Sequence, residues 1–376
     1  MTGRTQHLEV PVVVVGAGQA GLAVGYHLQR LGRVPQQDFV LVDAADRPGG
    51  AWPRTWDGLH LFSPPAYSSL PGWMMPPWRD PTGVHDGFPP REHVVAYLAA
   101  YEQRYGLAPL RPHRVTEVVP ADDAPDGPLL VRAPGLEVET RVVVSATGTW
   151  DRPFRPAYPG SGQYAGRQLH AADLRSAAEL AGQRVVVVGG GNSAAQLLAL
   201  VSRVAETTWV ATRPPRFLPD DVDGRVLFDA ATARVRARER GTPHAGVGGL
   251  GDVVVVPEVR EARARGVLHA RPMFARLTRD GVAWADGTAQ QADVVLWCTG
   301  FRPALRHLAP LRLRDADGHV AVGGTSGTRA ERDHRVHLVG YGDWTGPASA
   351  TLIGVGRTAR ATVAEVVGRV GSTQDA

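Results

Sequence analysis

The stretch Pro11-Val-Val-Val-Val15-Gly16-Ala-Gly18-Gln19-Ala-Gly21 decides the fold. Its valine run is too short to span a membrane and too apolar for an exposed edge, so it reads as a strand buried on both faces. Gly16 allows a tight turn, Gly18 lets the backbone approach a pyrophosphate, and Gly21 lets the following helix, roughly Ala20 to Leu31, pack against the sheet. The anion is expected on that helix's N-terminus, beside Gln19, where unpaired N–H groups and the dipole favour negative charge. Asp43 closes the next apolar run, Phe39-Val-Leu-Val42. That is the position of the carboxylate that accepts hydrogen bonds from an adenosine ribose.

The design recurs at Arg184-Val-Val-Val-Val188, which runs into Gly189-Gly-Gly191-Asn192-Ser193-Ala194, a helix to Val204 and a strand Thr207-Thr-Trp-Val-Ala211. One cradle holds one dinucleotide, so the chain is expected to hold two. This second unit ends in Thr212-Arg213, with Arg216 close behind, where the first has an aspartate. An aspartate repels a 2′-phosphate, whereas a guanidinium binds one as a charge-assisted fork. The first site is therefore expected to take a cofactor without a 2′-phosphate and the second to take NADP. The bland alternative is that Arg213 only solvates a strand end in an arginine-rich chain.

Two further segments point to FAD in the first site. Pro48-Gly49-Gly50-Ala51-Trp52 is a turn that lets backbone lie against a flat ring. Val336-His-Leu-Val-Gly340-Tyr-Gly342-Asp343 reads as a strand running into a glycine turn and a carboxylate. Asp343 either binds a ribityl hydroxyl or is an ordinary turn aspartate.

With these pieces in place the chain resembles the class B flavoprotein monooxygenases, which include flavin-containing and Baeyer–Villiger monooxygenases. Between the nucleotide motifs, Tyr164-Ala-Gly166-Arg-Gln-Leu-His170-Ala-Ala-Asp-Leu174 stands where that family has F-x-G-x-x-x-H and an aromatic, with Tyr164 and Leu174 as departures. Ala146-Thr147-Gly148 and Cys298-Thr299-Gly300-Phe301 match the segments that join the family's FAD and NADP domains. Leu61-Phe-Ser-Pro64, Tyr67-Ser-Ser-Leu-Pro71 and Gly342-Asp-Trp-Thr-Gly-Pro347 look most like the small flavoproteins associated with bacterial arsenic-resistance operons, an association that defines no substrate.

The resemblance implies an α/β fold of two Rossmann-like dinucleotide-binding domains, the NADP domain inserted into the FAD domain. Residues 1–150 and 301–376 are expected to form the FAD domain and 151–300 the NADP domain. A helical insertion around 214–274 is expected to cap the site, since that stretch is too long for a loop. The implied reaction begins with NADPH reducing FAD. The reduced ring then meets dioxygen to give a C4a-hydroperoxide, and one oxygen atom passes to a small nitrogen, sulfur or ketone substrate. The protein supplies geometry and dryness. Asp43 and Asp343 are expected to hold FAD, and Arg213 with Asn192 and Ser193 to hold NADP. His170 is expected at the domain junction, either orienting the nicotinamide or holding the linker. Ser63 stands in the region where amine- and sulfide-oxidising members carry an asparagine near the flavin. An NADPH oxidase or diaphorase without oxygen insertion, and a nucleotide-loaded redox sensor, are the competing readings.

Composition agrees with a soluble enzyme: 376 residues, 43% hydrophobic, suffice for two modest cores. No apolar run approaches the ~20 residues that cross a bilayer, and Met1 to Glu9 lack a signal core, so a cytoplasmic protein without membrane partner is expected. Net charge is +4 and all 41 basic residues are arginine. Their spread fits compositional bias better than nucleic-acid binding, so substrate and dioxygen are the expected partners, with a homodimer left open. The single cysteine, Cys298, cannot form the redox pair of a flavin disulfide reductase and reads as a buried core residue. Histidines occur as scattered singles, so no metal is expected.

Overall fold

The computed structural model describes residues 5–124, 126–220, 222–226, 228, 229, 233, 240, 253–316 and 318–371. Two sheets organise it. The first has the spatial order Val322–Gly323, Arg329–Ala330, Val336–Leu338, Val142–Ser145, Val12–Val15, Phe39–Val42, its last four strands parallel and the other two an antiparallel edge. The second is wholly parallel, in the order Ala270–Pro272, Glu206–Ala211, Arg184–Val188, Val294–Trp297, Arg167–His170. The second sheet is thus drawn from one contiguous stretch set inside the first.

Each central strand is buried throughout because both of its faces are covered, which is why the sequence there is almost unbroken valine. The alternation decides what each valine meets. Val12 and Val14 join the core under helices Gln19–Arg30, Arg91–Arg104 and Val355–Val370. Val13 and Val15 face a four-stranded sheet, Gln6–Glu9, Leu136–Thr140, Leu129–Ala133, Glu117–Pro120. The second unit repeats this plan. Val185 and Val187 pack under helices Asn192–Val201 and Pro257–Ala264, while Val186 and Val188 face a three-stranded antiparallel sheet, Arg276–Leu277, Gly281–Ala283, Ala289–Gln291. Neither of these smaller sheets, the first mixed through the parallel pairing of Gln6–Glu9 with Leu136–Thr140 and the second antiparallel, was expected from the sequence.

The glycine cradles are fixed by close approach. Gly16 has φ +102°, and a Cβ there would lie 2.7 Å from the Ala146 carbonyl oxygen; Gly189 has φ +137° and would meet the Cys298 carbonyl at 2.5 Å. A Cβ on Gly21 would stand 1.8 Å from the Gly16 oxygen, so the helix lies directly on the turn before it.

The chain crosses between the sheets twice, and the crossings lie side by side. Phe154 N–H donates to Gly300 O at 2.9 Å, Arg302 N–H to Arg152 O at 2.8 Å and Ala304 N–H to Gly148 O at 2.9 Å. Trp150 stacks on Phe301, ring centres 5.1 Å apart.

Helix Arg91–Arg104 begins directly after the extended Pro90. Of the helical insertion expected around 214–274, the described part includes helix Pro257–Ala264, and much of the rest lies outside the described residues. Among the described residues no helix is long and apolar enough to cross a membrane.

Substituting Gly21→Ala is expected to lower stability by about 1–3 kcal/mol through overpacking. Thermal unfolding of the purified protein, with flavin content measured alongside, checks this; an unchanged Tm would mean that the helix can lift off the turn freely.

Candidate functional site

A cavity of about 1210 Å³ opens at the C-terminal ends of the first sheet's strands. This is where open parallel sheets bind ligands. Gly16, Gly18, Gln19, Asp43, Gly50, Trp52, Thr147 and Gly148 line it, and it extends to Ser193 of the second motif and to Phe301 of the return crossing. Eight expected residues of the first site and one of the second therefore share one space.

The first cradle fits a dinucleotide on its own geometry. Helix Gln19–Arg30 starts at Gly18 with no side-chain cap and no acidic residue in its first turn, so its leading N–H groups face the cavity unopposed. Trp52 Nε1–H donates to Gln19 Oε1 at 3.1 Å and Gln19 Nε2 to Ala350 O at 2.7 Å, which fixes the cavity wall beside that turn. Gly50 packs on Gly18, so the Pro48–Trp52 turn lies against the cradle itself.

Asp43 is buried and held from several sides. Its carboxylate accepts from Ala17 N–H at 3.0 Å and Ala45 N–H at 2.9 Å, and Arg111 Nη2 stands 3.4 Å away. Arg111 is itself paired bidentately with Glu102 at 2.6 and 2.9 Å. Burial raises the Glu102 carboxyl above its usual range, and the Arg111 bonds act against that rise. A carboxylate has about four acceptor positions, so Asp43 keeps capacity for a ribose hydroxyl.

The second cradle has the same open start. Helix Asn192–Val201 begins at Gly191 with no side-chain cap and no acid in its first turn. Asn192 Oδ1 accepts from Val254 N–H at 2.8 Å, tying the cradle to the segment before helix Pro257–Ala264. Gly189 turns against the Cys298 crossing. Arg213 is exposed, two residues beyond the end of strand Glu206–Ala211.

Nine expected residues stand outside the cavity wall: Gly21, Gly189, Gly191, Asn192 and Arg213 of the cradles and their strand end, and Ser63, Asp343, Gly300 and His170. Ser63 Oγ pairs with Ser68 Oγ at 3.0 Å and faces Gly224. Asp343 is exposed and its carboxylate accepts from Ala348 N–H at 3.4 Å. Gly300 serves the paired crossings, accepting from Phe154 N–H. His170 has both ring nitrogens engaged: Nδ1 accepts from Ala172 N–H at 3.0 Å, so Nε2 carries the proton and donates to Gly300 O at 2.9 Å. Burial lowers its pKa, and the ring is neutral. Of the two roles expected of His170, this geometry matches holding the linker.

Other groups at the site had no sequence signal. Asp151 on the outgoing crossing is gripped by Arg54 at 2.5 Å and Arg114 at 2.9 Å, and all three line the cavity. Burial opposes the charge on Asp151, but the two guanidiniums hold its pKa below the ordinary value. Behind Thr147, its hydroxyl and that of Tyr341 lie 2.8 Å apart, Tyr341 reaches Ser145 at 2.7 Å and Ser145 reaches His307 at 3.1 Å. Thr147 also donates to Ala304 O at 2.8 Å, joining the two crossings. The scattered histidines are not all scattered in space: His60, His85 and Glu258 come together beside a second, smaller cavity. Each of these groupings joins residues too distant in sequence for spacing to reveal.

Comparison with known proteins adds a family. Residues 13–226 match the family described as pyridine nucleotide-disulphide oxidoreductase. The structure is similar to that of a flavin-containing monooxygenase from Stenotrophomonas maltophilia, with TM-score 0.85 and 48% identity over 97% of this chain and 100% of that one. The sequence is 30% identical to an indole-3-pyruvate monooxygenase, YUCCA1, of Oryza sativa subsp. japonica, over 81% of this chain and 79% of the relative. It is 26% identical to the uncharacterized oxidoreductase CzcO of Bacillus subtilis, over 82% of this chain and 86% of that protein.

The disulphide in the family description does not carry over to the thiol chemistry here. Cys298 is the only cysteine, and burial pushes its pKa up to about 12. The thiol is then held protonated near neutral pH, and only the thiolate reacts. Labelling of the native protein with a chromogenic disulfide reagent at pH 8 is expected to be negligible over minutes and to reach one thiol per chain in denaturant. Rapid labelling of the native protein would show an accessible, activated thiolate instead.

Proposed function

The chain belongs to the pyridine nucleotide-disulphide oxidoreductase family and, within it, to the flavin monooxygenases, and from that premise we propose that it oxygenates a small nitrogen, sulfur or ketone substrate in the cytoplasm. Its cofactors are FAD and NADPH. We assign FAD to residues 1–150 and 301–376 and NADPH to 151–300. The observation that carries the reading is the single cavity running from the Gly16 cradle to Ser193, which lets two nucleotides meet without leaving the protein.

When bound, FAD reduced by NADPH would supply the two electrons with which one atom of dioxygen passes to the substrate and the other leaves as water. The chain's own part is binding, orientation and exclusion of water. The uncapped start of helix Gln19–Arg30 receives the pyrophosphate, and Asp43 accepts from the adenosine ribose. The open start of helix Asn192–Val201 receives the second pyrophosphate. Arg213 is the group that meets the 2′-phosphate. His170 and Thr147 act through the crossings, by fixing where the two sheets meet.

Oxygen transfer is tested with ¹⁸O₂ and a panel of amines, sulfides and ketones. One labelled atom per product, with NADPH consumed in step, is expected. NADPH loss matched by hydrogen peroxide alone across the panel would overturn the oxygenase reading and leave an oxidase.

Arg213→Ala is expected to raise KM for NADPH by about 10- to 150-fold, the kinetic equivalent of ~1.5–3 kcal/mol for a charge-assisted contact, with KM for NADH nearly unchanged. Steady-state kinetics with both nucleotides decide it. Equal losses would place the 2′-phosphate elsewhere.

A further inference from the structure

Next to the cofactor cavity lies a second one of about 210 Å³, and Trp56 lines both. It is bounded by the long loop after Gly58 and by the start of helix Pro257–Ala264. His60, His85 and Glu258 line it, and none of them lines the larger cavity.

Their geometry is that of a ligand set in waiting. The three side chains, all partly buried, each bring one ligand atom within 4.8 Å of the other two. His85 Nε2 lies 2.8 Å from Glu258 Oε1. His60 Nδ1 lies 3.1 Å from the carbonyl of Gly58; a carbonyl only accepts, so Nδ1 carries the proton and Nε2 keeps a lone pair. A backbone carbonyl holding one imidazole nitrogen is how metal-ligating histidines are oriented. His85 Nδ1 is buried with no hydrogen-bond partner, so the ring is anchored through one nitrogen only.

Surrounding charges favour a cation. Asp80 accepts from the His85 backbone N–H at 2.8 Å and contributes a carboxylate on the loop side. On the other side Asp220 is paired with Arg263 at 2.5 Å and with Arg260 at 3.6 Å, and Asp223 with Arg225 at 2.9 Å, so two carboxylates meet three guanidiniums and leave one positive charge, which Glu258 and Asp80 together outweigh. Glu258 and Asp80 remain to balance an added positive charge.

We propose that His60, His85 and Glu258 bind one divalent transition cation of the zinc class, with the fourth position open to the small cavity. Imidazole and carboxylate are ligands this class accepts, and sites with three protein ligands keep one position for water or a small molecule. One adjustment is required. The two imidazoles are stacked, 3.7 Å apart and 4° from parallel, so their lone pairs run side by side. Tetrahedral coordination at about 2.0–2.1 Å sets the donor atoms roughly 3.3 Å apart, so the rings must splay as the ion enters. His60 stands on a loop and can make that turn locally. The bound ion would tie the Gly58–Pro90 loop of the first unit to a helix of the second, beside Trp56. This inference does not depend on the oxygenase reading.

The test uses flavin-loaded protein dialysed against a chelator and titrated calorimetrically with Zn²⁺ alone. Binding of one ion per chain is expected, together with a rise in Tm. His85→Ala, Glu258→Gln and the milder His60→Gln are each expected to weaken binding by about 100-fold or more, above the loss an outer-shell partner gives. His7→Ala, an exposed control, is expected to change nothing, and flavin content reports whether each variant folds. Co²⁺ added to the wild-type protein is expected to give absorption bands to the red of the flavin, absent in His60→Gln. No stoichiometric binding by the wild-type protein, or binding that survives all three substitutions, overturns the proposal.

Discussion

The pairing of the two crossings governs the rest of the molecule. One leaves strand Val142–Ser145 and the other leaves strand Val294–Trp297, and backbone hydrogen bonds between them at Phe154, Arg302 and Ala304 turn two connections into one ribbon. The ribbon also forms part of each cradle, since Gly16 turns against Ala146 and Gly189 against Cys298. Cofactor position and the relative setting of the sheets are therefore one packing problem. His170, Thr147 and the stacked Trp150–Phe301 pair add contacts along the same seam.

Charge at the cavity is managed by local pairing. Asp43 rests on two backbone amides with Arg111 behind it, and Asp151 sits between two guanidiniums. A buried carboxylate without such partners would lose several kcal/mol to desolvation. The nearby neutral groups are kept neutral by the same burial: His307 is lowered to about 4 and Cys298 raised to about 12. Neither offers a proton exchange near pH 7, which suits chemistry that a stray proton would spoil.

What the sequence revealed divides along a physical line. The cradles, their strands and Asp43 were legible because each rests on local geometry: a turn, a helix start, a residue one strand away. Gly18, Gln19, Gly50, Trp52, Thr147 and Gly148 lie on the cavity wall. Ser63 was inferred by likeness of position and Asp343 from a strand ending in a glycine turn, and the fold turns one toward Ser68 and the other toward solvent. The Arg111–Glu102 and Arg54–Asp151–Arg114 groups were invisible because their members are joined only by the folded chain. The two smaller sheets escaped for a related reason. Each covers one face of a valine strand whose pattern reports burial but not what does the burying.

The wholly parallel sheet is supplied by one uninterrupted length of chain whose entry and exit touch. A segment built this way is close to a cassette: its ends meet at a fixed spacing, and its core is shared with little beyond itself. Such an arrangement lets the inserted half drift, or be exchanged for that of a relative, while the six-stranded half keeps its own strand order and its own core.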